Sequence, residues 1–107
     1  MTIKWDIEAG NRFLGTAAHI GEMFGEGYSA RFVKEVIDTV QLLEENPLLG
    51  PEEELLRKSK YPFRHLTIGK LNKIIYTVRG EVIIIADFWG TRMNTKALAK
   101  RLLLKTK

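Results

Sequence analysis

The stretch FRHLTIGKLNKIIYTVRGEVIIIADFW, residues 63–89, decides the fold. Three runs rich in Ile, Val, Thr and aromatic residues, Phe63–Ile68, Leu71–Val78 and Val82–Trp89, suit pleated, half-buried strands. Between them stand Gly69-Lys70 and Gly80-Glu81, the residue types that tight hairpin turns take. The spacing predicts three consecutive antiparallel strands.

Upstream, Leu48 to Lys60 is polar. Gly50-Pro51 marks a turn, Glu52, Glu53 and Glu54 read as the solvated acidic start of a short helix or loop, and Arg57, Lys58 and Lys60 follow. Before it lie two amphipathic stretches. Val33, Val36, Ile37, Val40 and Leu43 recur at helical spacing, with Ser29 as N-cap and Asn46-Pro47 as stop. Phe13, Ala17, Ile20 and Phe24, with Leu14 and Ala18 beside them, form the stripe of an earlier helix that begins at about Glu8. Gly25, Glu26 and Gly27 close the pair into an antiparallel hairpin. Ile3, Trp5 and Ile7 alternate with polar neighbours, which predicts a short N-terminal strand. Downstream, Asn94 caps a final helix in which Leu98 and Leu102 share a face and Lys96, Lys100, Arg101 and Lys105 surround it.

The expected fold is α+β. An N-terminal strand and helical hairpin pack on one face of a small, mainly antiparallel four-stranded sheet, with a C-terminal helix after it. One domain over residues 1–107 is expected, its core formed by Trp5 with Phe13, Ala17, Ile20, Val33, Val36 and Val40.

Charge is unevenly placed. Met1 to Glu54 holds four Lys/Arg against eleven Asp/Glu, and Leu55 to Lys107 holds thirteen against two, so an acidic half precedes a basic one. Cations gathered on a small sheet build a field that attracts phosphates or an acidic protein segment. The absence of cysteine excludes disulfides and thiolate metal sites. Two histidines, His19 and His65, are too few and too scattered for zinc, and no metal or cofactor is expected. No apolar run nears the ~20 residues of a membrane span, and Met1–Gly10 lacks the order of a signal peptide. A cytoplasmic protein with no membrane partner is expected.

In order and spacing these pieces resemble the RelE/ParE superfamily of toxins from type II toxin–antitoxin pairs, also described as plasmid-stabilisation proteins. The resemblance rests on Leu-x-x-Asn-Pro-x-x-Gly at Leu43 to Gly50, on Phe63 to Gly69, on Lys73-Ile74-Ile75-Tyr76-Thr77-Val78, and on Gly90-Thr91-Arg92 before the last helix. It implies a cognate acidic antitoxin as partner. For RelE-like members it implies a ribosome-dependent mRNA endoribonuclease that works without metal, in which basic groups stabilise a phosphorane. Carried over by position, the catalytic candidates are Arg64, Lys73 and Arg92, with Lys70, Arg79 and Trp89 as RNA-binding candidates. Preorganised guanidinium and ammonium groups suit that charge development.

The sequence also departs from the nuclease pattern. Leu66 stands where some active members have a second lysine, and residues 94–107 contain neither Tyr nor His. A glutamate upstream of the second strand serves as base in another subgroup, and Glu54 lies near that place. The hairpin is long, as in ParE-like relatives, for which the resemblance implies non-catalytic binding to DNA gyrase. Three readings follow: ribosome-dependent nuclease, gyrase inhibitor, or a basic interaction domain without toxicity. His65 is expected to face the core or to be hydrogen-bonded, and His19 to be structural. One of Phe88 and Trp89 should be buried, and the other offers a base a stacking surface.

Overall fold

The computed structural model describes residues 1–90 and 92–105. Strand β1 (Thr2–Trp5) leads into α1 (Ile7–Phe24) and α2 (Glu26–Glu45). A single 3-10 turn (Glu54–Leu56) precedes β2 (Phe63–Ile68), β3 (Asn72–Arg79) and β4 (Val82–Gly90), and α3 (Thr95–Lys105) ends the described chain. The sheet order is β1-β4-β3-β2, with β1 parallel to β4 and the other pairs antiparallel. The three strands read from residues 63–89 are therefore a meander, and β1 adds to its β4 side.

Local chemistry sets the helix ends. The Asp6 carboxylate accepts the Glu8 N–H at 3.1 Å and caps α1. Gly25, at φ +98°, is the one residue between α1 and α2, a backbone shape that side chains other than glycine resist. The second helix starts at Glu26, so Ser29 lies inside it instead of capping it. Its hydroxyl donates to the Ala17 carbonyl at 2.8 Å and ties the two helices together. Asn94 caps α3 as expected, accepting the Ala97 N–H at 3.1 Å.

Two cores form, one on each face of the sheet. The hairpin covers the first, where Phe13, Ala17, Phe32, Val36, Val40 and Leu43 meet Ile68, Ile74, Tyr76, Ile83, Ile85 and Phe88. Trp5, Ile20 and Val33 pack at its margin. The expected core is thus found, and the stripe read for α2 shifts: Phe32 is buried, whereas Ile37 is 40% exposed. The second core joins Leu56, Phe63, Ile75, Ala86 and Trp89 to Ala99 and Leu102 of α3. Helices therefore cover both faces, because alternate residues of β2 and β3 are apolar on each side. A bulge at β3/β4 pairs Ile75 with Asp87 but Tyr76 with Ile85, leaving Ala86 as the extra residue. It reverses the alternation along β4, so that Ile83, Ile85 and Phe88 all face the hairpin.

Candidate functional site

The segment before β2 supplies the first arrangement of chemical interest. Glu53 N–H donates to Phe63 O at 2.8 Å and His65 N–H to Pro51 O at 3.0 Å, so the backbone of Glu52 pairs antiparallel with that of Arg64. Pro51–Glu53 thus lies along the edge of β2 in extended form. Alternation then turns Glu53 inward between two exposed glutamates. It is 4% exposed, which corrects the expectation of three solvated acids. The Glu53 carboxylate holds the Lys73 ammonium, and His65 Nδ1 stands 3.2 Å from the same oxygen, poorly aligned for a hydrogen bond.

These neighbours set the protonation of the cluster. Burial acts to raise the Glu53 pKa, but the Lys73 ammonium and the Leu55 N–H outweigh it and hold the carboxyl below its ordinary value. His65 is pushed below its ordinary value, first by burial and then by the Lys73 charge, with Glu53 opposing. The expectation of a hydrogen-bonded or core-facing histidine becomes a half-buried one beside a carboxylate.

Lys73 also lies over the Trp89 ring, 5.2 Å from its centroid. Trp89 itself is fully buried, and its indole N–H donates to Asp87 Oδ2 at 2.7 Å. Phe88 is fully buried too, on the hairpin side. Neither ring offers a base a stacking face, and Trp89 is corrected from RNA-binding candidate to core residue. Asp87 further accepts Arg12 Nε at 2.6 Å, which fixes the start of α1 to β4 beyond the end of β1.

Arg64 stands elsewhere. It is paired with Tyr76 in the β2–β3 register, whereas Lys73 is paired with Thr67. The odd spacing from Lys73 to Tyr76 puts Arg64 and Lys73 on opposite faces of the sheet. Arg64 Nη1 donates to the Gly50 carbonyl at 2.7 Å, a structural bond inside the Asn-Pro-x-x-Gly turn. Arg92 is exposed beyond the end of β4, in the segment Gly90-Thr91-Arg92 whose Thr91 lies outside the described residues. Lys70 is exposed in the β2–β3 turn, and Arg79 stacks its guanidinium on Tyr61, 3.7 Å from the ring centroid. The three catalytic candidates are thus distributed over two sheet faces and a strand end, and two of them already hold protein partners.

Arg92 instead borders a groove of about 590 Å³. One wall is α1, through Arg12, Thr16, His19, Ile20, Met23 and Phe24. The other is the start of β3 and the end of β4, through Leu71, Asn72, Gly90, Arg92 and Met93. Met23, Phe24 and Leu71 are each more than 60% exposed, an apolar floor under basic rims. His19 is exposed here, against the expectation of a structural role. Of the stripe read from the sequence, Phe13 and Ala17 are buried, while Ile20 and Phe24 border the groove, so Phe24 is corrected from the inner face of α1 to an exposed position. Among the described residues no cluster of acids and histidines could hold a metal ion.

Comparison with known families agrees with this architecture. The family described as the ParE toxin of type II toxin–antitoxin systems, parDE, matches residues 3–95. The chain belongs to the ParE toxin family. Among solved structures, one titled as the chromosomal ParDE toxin–antitoxin system from P. aeruginosa is similar in fold. Its TM-score is 0.67 at 22% identity, over 84% of this chain and 95% of that one. Among curated proteins none matches the sequence significantly. Within the ParE family frame, the features unexplained by folding are the apolar groove with Arg92 at its rim and the Glu53–His65–Lys73 cluster. No helix among the described residues is long and apolar enough to cross a membrane.

Proposed function

We propose that this ParE-family toxin acts in the cytoplasm by binding a protein target, DNA gyrase, and not by cutting RNA. The observation that carries the reading is the separation of the nuclease candidates. Arg64 and Lys73 lie on opposite sheet faces, each engaged with a neighbour, and Trp89 is buried. Electrostatic catalysis at a phosphorane needs cations converging on one set of oxygens. A binding inhibitor needs only an exposed surface, which the hairpin supplies through Leu14, Met23, Phe24 and Tyr28.

An antitoxin completes the reading. The groove beside α1 suits an amphipathic helix whose apolar side covers Met23, Phe24 and Leu71 while its carboxylates approach Arg92. In this reading the acidic partner occupies the α1 groove.

A ribosome-dependent endoribonuclease is the second reading, favoured by one observation. Glu53, His65 and Lys73 put a carboxylate, an imidazole and an ammonium within one cluster, the types that general acid–base chemistry uses. Expression of the toxin with parallel readout of mRNA cleavage and chromosomal double-strand breaks separates the two. Breaks with intact mRNA are expected. Cut mRNA without breaks would reverse the order of the readings, and neither outcome with folded protein would leave a basic interaction domain without toxicity.

A further inference from the structure

The cations of α3 divide into two flanks with different fates. Ala99 and Leu102 define its buried side, and at 3.6 residues per turn Arg101 and Lys105 fall on one flank, Lys96 and Lys100 on the other. The first flank is answered by the acidic start of α1. Arg101 lies 3.7 Å from Glu8, and Lys105 lies 3.7 Å from Asp6 and 3.9 Å from Glu8. The second flank meets no carboxylate among the described residues.

The neighbouring segment repeats the pattern. The turn Glu54–Leu56 packs against α3, and the chain then runs through Arg57, Lys58 and Lys60 to Tyr61. Arg57 is paired with Glu54 at 3.5 Å, but Lys58 and Lys60 are exposed without an acidic partner among the described residues. Tyr61, packed against the core beneath α3, carries Arg79 at 3.7 Å and Lys60 at 5.8 Å from its ring centroid. Five cations on three elements, Lys58, Lys60, Arg79, Lys96 and Lys100, therefore lie on the α3 side of the sheet with no carboxylate partner among the described residues.

We propose that this face binds the phosphate backbone of duplex DNA. Cations without an answering carboxylate attract polyanions and displace their counterions. Lys96 and Lys100 stand four residues apart on one flank of α3, ~6 Å along its axis, and so present two charges side by side to a single strand of a duplex. Single-stranded nucleic acid would call for exposed aromatic rings. Here Trp89 is buried and the Tyr61 ring is covered by Arg79. A protein partner would call for apolar anchors, and the exposed ones near this face, Leu55 and Leu104, stand singly. Binding would be independent of base sequence and would hold the toxin near DNA whether its target is gyrase or the ribosome.

The test uses the full chain with a fluorescent short duplex, the matching single strand and an acidic peptide, each titrated across a salt series with neither gyrase nor ribosomes present. The duplex is expected to bind most tightly. Each phosphate contact contributes ~0.9 to the slope of log K against log salt. Lys96→Gln/Lys100→Gln, both exposed, should keep the melting temperature, lower that slope by about 2 and weaken binding on the order of a hundredfold near 50 mM salt. Arg31→Gln/Lys34→Gln on α2 removes equal charge and should leave the slope within about half a unit of the parent. The proposal is overturned by no duplex binding near 50 mM salt, by preference for the single strand or the peptide, or by equal losses from the two double variants.

Discussion

The Tyr76 hydroxyl oxygen accepts the backbone N–H of Gly50 at 2.9 Å, joining the middle of β3 to the turn that follows α2. Both partners are buried, and burial pushes the Tyr76 hydroxyl above its ordinary pKa, opposed by the Gly50 N–H and the Arg64 charge. Arg64 closes the arrangement by donating to the Gly50 carbonyl. The glycine of the Asn-Pro-x-x-Gly motif is therefore satisfied at both its N–H and its C=O by side chains of the sheet. Arg64 thereby gains a structural role that its charge alone did not suggest.

Gly50 has no space for a side chain. A Cβ there would stand 2.1 Å from the His65 carbonyl oxygen. Gly50→Ala is expected to destabilise by ~3 kcal/mol, the upper end of overpacking costs. Tyr76→Phe should cost ~1–3 kcal/mol by leaving a buried N–H without its acceptor. Urea unfolding of both variants checks this, and parent-like midpoints would show that the turn does not bind Tyr76 in solution.

Phe13 sits at the centre of the hairpin core, with Trp5, Phe32 and Phe88 at ring-centroid distances of 5.3, 5.9 and 5.6 Å. Phe13→Ala removes three aromatic contacts together with the burial. A loss of ~3–5 kcal/mol is expected, a large share of the stability of a small domain. Thermal unfolding followed by circular dichroism gives the value.

The Glu53–His65–Lys73 cluster makes stability depend on pH in one direction. His65 is held below 6.5 in the folded chain, so the unfolded chain binds the proton first as pH falls, and stability is lost from about that pH downward. Glu53 is held below 4.5, so its contribution is present above that value and is lost as pH falls through the folded value. Urea midpoints should decline from neutral pH into acid in two stages. His65→Gln should flatten the first stage, and Glu53→Gln should lower stability at neutral pH and flatten the second. A midpoint that rises between pH 7 and pH 5 in the parent would contradict the cluster.

Much of this was legible because local patterns carry it. The alternation of β2 and β3, the helical stripe of α1, the stop at Asn46-Pro47 and the cap at Asn94 each depend on residues within a few positions. What escaped depends on pairings distant in sequence. The extra residue Ala86 breaks the alternation of β4, and nothing in Ile83-Ile84-Ile85-Ala86-Asp87 marks where. Glu53 is distinguished from Glu52 and Glu54 only by Lys73, twenty residues later. The parity of Arg64 and Lys73 could be read strand by strand, but their opposition required the register that pairs Arg64 with Tyr76. Asp87 on β4 is held by Arg12, 75 residues away in the chain.

Arg92 separates the two functional readings most sharply. It is exposed on the groove rim, with no carboxylate partner among the described residues, so Arg92→Ala should leave the melting temperature unchanged. A rim charge acts mainly on association rate and its salt dependence. The variant should therefore bind antitoxin several-fold more slowly at low salt, with a weaker salt response, while growth arrest by the free toxin persists. Phe24→Ala, which removes part of the apolar floor, should instead speed dissociation, because an apolar anchor is lost. If a folded Arg92→Ala protein loses toxicity and Arg92→Lys restores only part of it, the guanidinium fork is serving a transferring phosphate. That result would return Arg92 to a catalytic role and favour the ribonuclease over the gyrase inhibitor.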